Sequence, residues 1–281
     1  MTENDYIIRY IPKRSGGFRV IHEPRPALKQ KQRGILRWLN ERGIRTGAYA
    51  HGFVRNRSTF THAKLHVGKK LIIKLDIENF FATTSVSMLR NALAEENLKA
   101  EYISEIIEVC TLNGVLPQGA PTSPFLSNIA VKKMDRRLAG LARKYNAVYS
   151  RYADDMCFSS DNPHLNNILP AVEYAVRNSG YKLNSRKTKI LRQCRRQIVT
   201  GVVVNEKANI PRELQRNTRA RLHNFKMRIL NNQVFDEAEY ESIKGLLSYF
   251  LSLRPDKGTL FRKDIKEIER LITLKYRPMA A

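Results

Sequence analysis

Apolar positions recur at helical spacing over some stretches of this chain and at strand spacing over others, and the two periods divide it into predicted elements. Residues 6–23 predict a hairpin, with Tyr6-Ile7-Ile8 and Phe18-Arg19-Val20-Ile21 flanking the basic, glycine-bearing tip Lys13-Arg14-Ser15-Gly16-Gly17. Such a tip suits either a solvated turn or a cationic finger over phosphates. After Pro24 and Pro26, residues 27–42 place Leu28, Ile35, Leu36 and Leu39 on one side and meet Gly43 as a stop, which predicts a helix. A basic loop, Ala50 to Ser58, precedes a short helical stretch near 59–67. The run Leu71-Ile72-Ile73-Lys74-Leu75 predicts a buried strand that delivers Asp76 at its end.

Residues 85–114 predict mostly helix, with Leu89, Leu93, Ile103, Ile106, Ile107 and Val109 as core candidates. The proline-bounded loop Leu116-Pro117-Gln118-Gly119-Ala120-Pro121-Thr122-Ser123-Pro124 interrupts, and a helix over 124–144 follows with Leu126, Ile129, Ala130, Met134, Leu138 and Leu141 on its apolar side. Glycine in that loop permits close backbone approach by a ligand, and Gln118 offers both a donor and an acceptor. Residues 148–153 and 156–159 predict two short strands with Asp154-Asp155 at the turn between them. A helix near 165–179, a turn entering a strand over 180–189 and a hairpin strand over 199–205 come next. Helices over 211–231, 238–253 and 261–276 complete the chain, the last two separated by Arg254-Pro255-Asp256-Lys257-Gly258. Helices mixed with short antiparallel strands make the class α+β.

Length and composition sharpen this only slightly: 281 residues, 42% hydrophobic and 9% aromatic, suit a folded chain of one large unit or two to three subdomains. Charge changes the picture more. Fifty Lys and Arg against 26 Asp and Glu leave +24, a balance that favours a polyanionic partner, most simply nucleic acid. No run of 18 apolar residues exists to span a bilayer, and Met1-Thr2-Glu3-Asn4-Asp5 has no signal pattern, so no membrane partner and a cytoplasmic location are expected. Cys110, Cys157 and Cys194 lie far apart and form no zinc or disulfide pattern.

Residues 177–228 hold fifteen Lys or Arg against two acids. Within them, Leu214, Thr218, Leu222, Phe225 and Ile229 form one helical stripe. Arg212, Arg216, Arg219, His223 and Lys226 form another, offset by roughly 200° and thus on the opposite face. Solvated stripes usually mix signs, so a stripe this basic points to nucleic acid. His62 and His66 share a helix face without an acidic or cysteine partner nearby, which suits packing or RNA contact better than zinc.

Asp76 and Asp154-Asp155 supply carboxylates without imidazole or thiolate, the donor set of Mg²⁺. Two such ions about 4 Å apart activate an attacking hydroxyl and stabilise a leaving pyrophosphate. A bare Asp-Asp turn is common for local reasons, but here the other parts are present in order.

Asp76 with Phe80-Phe81, Leu116-Pro117-Gln118-Gly119, Tyr152-Ala153-Asp154-Asp155, and Gly180 with Lys187 resemble the ordered motifs of reverse transcriptases. Val199-Thr200-Gly201 is similar to the VTG signature of bacterial retron reverse transcriptases, and His62-Ala63-Lys64-Leu65-His66 resembles their NAxxH signature, with His62 in place of asparagine. The resemblance runs from about Lys13 to the C-terminus and is loosest beyond residue 210.

The resemblance implies a right-hand polymerase: fingers over 1–70 and 85–120, a palm over 71–84 and 121–204 whose antiparallel sheet carries the YADD hairpin, and a helical thumb or RNA-binding region over 205–281. It implies that Asp76, Asp154 and Asp155 serve two Mg²⁺ ions, with Mn²⁺ as a substitute and the Ile77 carbonyl assisting. Phe81 matches an aromatic gate against a ribose 2′-OH, with Phe80 beside it as a core or pocket residue. Gln118 and Gly119 are expected to line the nucleotide pocket, Lys13 and Arg19 to meet the triphosphate, and Lys187 to act as general acid or phosphate contact. Candidate nucleic-acid contacts are Arg55, Arg57, His66, Tyr152, Arg212, Arg216, Arg219 and Lys226.

Room for only a helical thumb after the VTG strand favours a retron enzyme over group II intron-like or diversity-generating relatives. Retron enzymes copy part of a structured non-coding RNA from dNTPs, starting at a 2′-OH and leaving a branched RNA–DNA hybrid (msDNA). They are associated with anti-phage defence through an effector protein. The competing expectation from another class is a non-catalytic RNA-binding scaffold, for which the charge pattern would be the same.

Overall fold

The computed structural model describes residues 2–13, 16–231, 233–253 and 255–276. Strands β1 (Tyr6–Pro12) and β2 (Phe18–Pro24) form the first hairpin, in register with Tyr10 opposite Val20. Helix α1 (Pro26–Glu41) begins on a proline, whose fixed φ and missing N–H suit a first turn. Helix α2 (Thr59–Lys64) is capped by Ser58, whose hydroxyl accepts from the Thr61 N–H. Strand β3 (Leu71–Asp76) and the single-turn α3 (Phe80–Thr83) follow. Within the mostly helical stretch expected over 85–114, two helices form, α4 (Val86–Glu95) and α5 (Ala100–Cys110).

The helix expected over 124–144 also divides, into α6 (Ser123–Ala130) and α7 (Lys132–Lys144), at Val131 with φ −96° and ψ 4°. The break lets each piece serve a different core: Leu126 and Ile129 join α1, α4 and α5, whereas Met134 and Leu138 lie against the sheet. Strands β4 (Val148–Tyr152) and β5 (Asp155–Ser160) come next, then α8 (Leu169–Arg177), β6 (Lys189–Arg192) and the short β7 (Ile198–Val199) and β8 (Val202–Val203). Three helices complete the described residues: α9 (Arg212–Leu230), α10 (Glu237–Leu253) and α11 (Pro255–Tyr276). Pro255 and Gly258, expected in a linker, belong to α11, because a proline is tolerated in a first turn.

Four strands form an antiparallel sheet in the order β4-β5-β3-β6. Side chains alternate across it. Leu71, Ile73, Leu75, Met156 and Phe158 bury against α7 and α8, whose Met134, Leu138 and Val172 share their core. The other face presents Ile72 and Cys157 to a second core built from α2, β7, β8 and α9–α11. A third core joins Tyr6 with α1, α4, α5 and α6. Asp76 and Asp155 fall on the face of Ile72 and Cys157, so they open beside the second core and not beneath the helices. Among the described residues, no helix is long and apolar enough to cross a membrane.

Candidate active site

The acidic residues meet because of strand register. Asp76 ends β3 directly opposite Asp155, the first residue of β5, and Tyr152 closes β4 opposite the same Asp155. Ala153 and Asp154 form the two-residue loop between β4 and β5, with a positive φ of 56° at Ala153. The Ile77 N–H donates to the Asp154 carbonyl at 3.0 Å and ties the loop to the neighbouring strand. Gly52 lies against the loop so closely that a Cβ there would stand 2.5 Å from the Ala153 nitrogen. The Gly52 carbonyl in turn accepts from Asn128 Nδ2 at 2.9 Å.

Asp76 is 6% exposed, and its carboxylate is met by Lys187 Nζ at 3.0 and 2.9 Å from the two oxygens. The 182–187 segment reaches it because the Glu78 N–H donates to the Lys182 carbonyl and the Asn184 N–H to that of Asp76. Burial raises the Asp154 carboxyl above its ordinary value, and the negative charges of Asp155 and Asp76 add to the rise. Burial also raises Asp155, against the pull of the Lys74 ammonium. The hydrogen bonds to Asp76 raise Lys187. Crowded negative charge of this kind calls for a counter-cation, and Lys187 answers part of it. Among the described residues, no three acidic, histidine or cysteine side chains are grouped closely enough to enclose a metal ion.

On the nucleotide side, the His22 N–H donates to the Gln118 carbonyl at 2.8 Å, docking β2 onto the proline-bounded loop. Gly119 has φ +126°, and a Cβ on it would lie 2.7 Å from the His22 carbonyl oxygen. Lys13 and Arg19 are exposed on the hairpin, while Arg14 lies outside the described residues. Phe81 is half-buried with its ring 6.0 Å from the exposed Phe53 ring. Phe80 corrects its expectation as a pocket residue: it is 4% exposed and packs on Tyr181 in the core beneath the sheet.

The expected nucleic-acid contacts separate. His66 is fully buried, its Nδ1 and Nε2 each 2.7 Å from the hydroxyls of Ser159 and Ser150, so it is a packing residue and not an RNA contact. Arg57 is half-buried and donates to the carbonyls of Ala48 and Ala50 at 2.5 Å, which makes it a tie within its own loop, whereas Arg55 is exposed. Tyr152 is half-buried with its ring 5.9 Å from His62.

On α9, Thr218, Leu222, Phe225 and Ile229 are buried and Arg212, Arg216 and Arg219 are exposed. Lys226 departs from the expected free stripe because Glu267 of α11 pairs with it at 2.6 Å. Arg228 likewise pairs with Glu239 of α10. Thr200 joins two sequence signatures, donating to the Thr59 carbonyl at 3.1 Å and lying 3.3 Å from His62 Nδ1.

Three residues at the loop escape sequence reasoning: Gly52, Arg151 and Asp135. A signal for the last two exists. Arg151 is two residues from Tyr149 on the buried face of β4, and Asp135 adjoins Met134 on the buried side of α7, so opposite charges occupy core-facing positions.

An antiparallel sheet with paired acids at a hairpin loop, helices beneath it and a separate helical core beside it defines the class of right-hand polymerases. Residues 11–204 match the family described as reverse transcriptase (RNA-dependent DNA polymerase), and the chain belongs to that family. Its relatives include the retron Mx65 and Mx162 reverse transcriptases of Myxococcus xanthus, 35% and 32% identical over 90% and 95% of this chain. The retron Ec86 reverse transcriptase of Escherichia coli is 29% identical over 91% of this chain and 75% of its own. The chain spans 62% of the length of each Myxococcus relative. Among solved structures, a foamy viral protease-reverse transcriptase with double-stranded DNA matches 95% of this chain and 39% of its own at a TM-score of 0.56 and 16% identity. Apo telomerase from Candida tropicalis matches 96% of this chain and 61% of its own at a TM-score of 0.56 and 14% identity. These likenesses show the fold.

Proposed function

We propose that this chain is the RNA-directed DNA polymerase of a retron, copying part of a structured non-coding RNA into msDNA from an RNA 2′-OH. The observation that carries the polymerase reading is the apposition of Asp76 and Asp155 across β3 and β5, with Asp154 at the loop beside them. The retron reading draws on the Mx65, Mx162 and Ec86 relatives and on Thr200, which bonds the 59–66 segment to the VTG turn. The three cores correspond in this reading to fingers, palm and thumb.

Carboxylate oxygens are the donor chemistry a divalent cation takes, and the burial and mutual repulsion that raise Asp154 would be relieved by one. Asp76, Asp154, Asp155 and the Ile77 carbonyl would hold two Mg²⁺ ions, with Mn²⁺ as a substitute. When bound, these ions supply activation of the attacking hydroxyl and stabilisation of the leaving pyrophosphate. The chain's own contribution is positioning. Gln118 and Gly119, held to β2, shape the wall of a dNTP site, and Lys13 and Arg19 offer charge to its triphosphate. Phe81 meets the sugar and excludes a 2′-OH. Lys187 carries a proton beside Asp76 that can pass to pyrophosphate. The exposed Arg212, Arg216 and Arg219, with Arg55, form the surface for phosphates of the structured RNA and its RNA–DNA product. An anti-phage effector protein is the expected further partner, in the cytoplasm.

The test is the double variant Asp154→Asn, Asp155→Asn, assayed for primer extension and for RNA binding. Extension should fall below detection while RNA affinity stays within about threefold of the parent protein. Normal extension by the variant sinks the catalytic assignment. A parent protein that binds RNA but never extends a primer with either ion returns the chain to an RNA-binding scaffold.

A further inference from the structure

We infer that Arg151 and Asp135 are positioning residues for the reaction: a buried strut that sets the orientation of Asp154 by pinning the peptide plane ahead of it. Both side chains have no solvent exposure. Arg151 donates from Nε to Asp135 Oδ1 at 2.9 Å and from one terminal nitrogen to Oδ2 at 2.8 Å, a two-pronged pair between β4 and α7. Its other terminal nitrogen donates to the Ala153 carbonyl at 2.8 Å. Asp135 Oδ1 also accepts from the Tyr149 hydroxyl at 2.7 Å, and the Arg151 guanidinium lies 5.7 Å from the Phe80 ring centroid.

The peptide unit is planar, so holding the Ala153 carbonyl fixes the Asp154 N–H and the direction in which the Asp154 Cα leaves that plane. The next plane is held from the other side, where the Asp154 carbonyl accepts from the Ile77 N–H at 3.0 Å. Asp154 thus sits between two pinned planes, one tied to α7 through Arg151 and one to β3. Asp155 needs no such device, because strand pairing with Asp76 and Tyr152 already places it. The loop also requires a holder. Ala153 adopts φ 56°, a region disfavoured for any residue with a Cβ.

Arginine is suited to this role because its fixed fork grips a carboxylate with two nitrogens and leaves a third free. A buried ion pair is not needed for stability; apolar groups of similar volume often serve as well or better. What apolar groups cannot supply is a donor for the Ala153 carbonyl. The charge pair therefore makes physical sense as the support of that donor.

This inference rests on the catalytic reading of Asp154 and Asp155, and the two fail differently: the double Asn variant tests that reading, and the following tests the strut. In the triple variant Arg151→Met, Asp135→Leu, Tyr149→Phe, the buried charges are replaced together. It should keep a cooperative melt and its primer–template affinity, while single-turnover incorporation falls by about 100-fold, the scale of a roughly 1 Å misplacement of a reacting group. Mn²⁺ binding, followed by EPR, should weaken by about tenfold, as expected when a group that supports a ligand is removed.

Should the triple variant not fold, Arg151→Lys decides. A lysine keeps the charge opposite Asp135 but cannot hold both carboxylate oxygens and the Ala153 carbonyl at once. Its loss of rate and of Mn²⁺ affinity should exceed that of Leu138→Ala, a core truncation on α7 compared at the same loss of melting temperature. Incorporation within about threefold of the parent in the folded triple variant, or equal losses in Arg151→Lys and Leu138→Ala, overturns the proposal.

Discussion

Acidification from pH 7 to 5 should cost this protein several kcal/mol of stability, because three imidazoles are buried uncharged behind the hairpin of β4 and β5. His51, His62 and His66 are 8%, 1% and 0% exposed, with successive ring centroids 5.6 and 5.5 Å apart. Burial is the leading cause in each case, and it lowers them from 6.5 to about 4, about 2 and about 3 respectively. Nearby positive charge adds to this: Arg57 on His51, His66 and then His51 on His62, and His51 on His66.

The unfolded chain binds these protons near pH 6.5 and the folded chain does not. Stability is therefore complete above that pH and falls as pH drops toward the folded values. Each histidine contributes a loss of about 2 kcal/mol at pH 5, and the three together about 5 to 6 kcal/mol, an upper figure for neighbours that interact. Asp154 and Asp155 work in the opposite direction, since their raised values let the folded state take up protons first. Domains are typically stable by about 5–15 kcal/mol, so the loss should be plain.

Guanidinium unfolding at pH 7, 6 and 5 measures it, with His62→Asn as the comparison. That variant places the asparagine of the retron signature at position 62 and should remove about one third of the pH slope. A parent stability that is flat or rising between pH 7 and 5, or an unchanged slope in His62→Asn, refutes the reasoning.

Further outcomes can be checked at single positions. Gly119→Ala should destabilise the docking of the hairpin by about 1–3 kcal/mol and raise the KM for dNTP, because its Cβ would meet the His22 carbonyl at 2.7 Å and φ is +126°; a variant with unaltered melting and KM places the hairpin elsewhere. Arg216→Ala with Arg219→Ala should weaken RNA binding and lower the slope of log K against log salt by about 2, as two lost phosphate contacts require. Lys226→Ala, already paired with Glu267, should change the slope less; equal slopes in both move the RNA surface off α9. Phe81→Ala should relax discrimination against ribonucleotides in a primer-extension competition, and unchanged selectivity leaves Phe81 as a core side chain.

Particular elements show why some of this was legible and some was not. Strand β3 was readable because its mostly apolar run is too short for a buried helix and too apolar for a surface loop. The stripe of α9 was readable because its period is local, and its four buried residues lie where that period puts them. Local periodicity could not show that Val131 would break one predicted helix into two, since the break serves two cores built from distant segments. Nor could it show that Glu267 and Glu239 would neutralise part of the basic face from other helices. His66 looked available for RNA because a helix face carries no record of what covers it.

The sequence by itself determined the chemistry on offer: three carboxylates on or beside strands, a cationic chain, and ordered motifs that resemble one family. Those properties reside in residue types and short spacings, which survive without coordinates. The tertiary structure alone decided which of these groups meet. Register placed Asp76 opposite Asp155, a reaching segment brought Lys187 onto Asp76, and burial turned Phe80 and His66 into packing. It alone also revealed Arg151 and Asp135 joined beneath the Asp154 loop, because a contact between a strand and a helix 16 positions apart depends on packing and not on period.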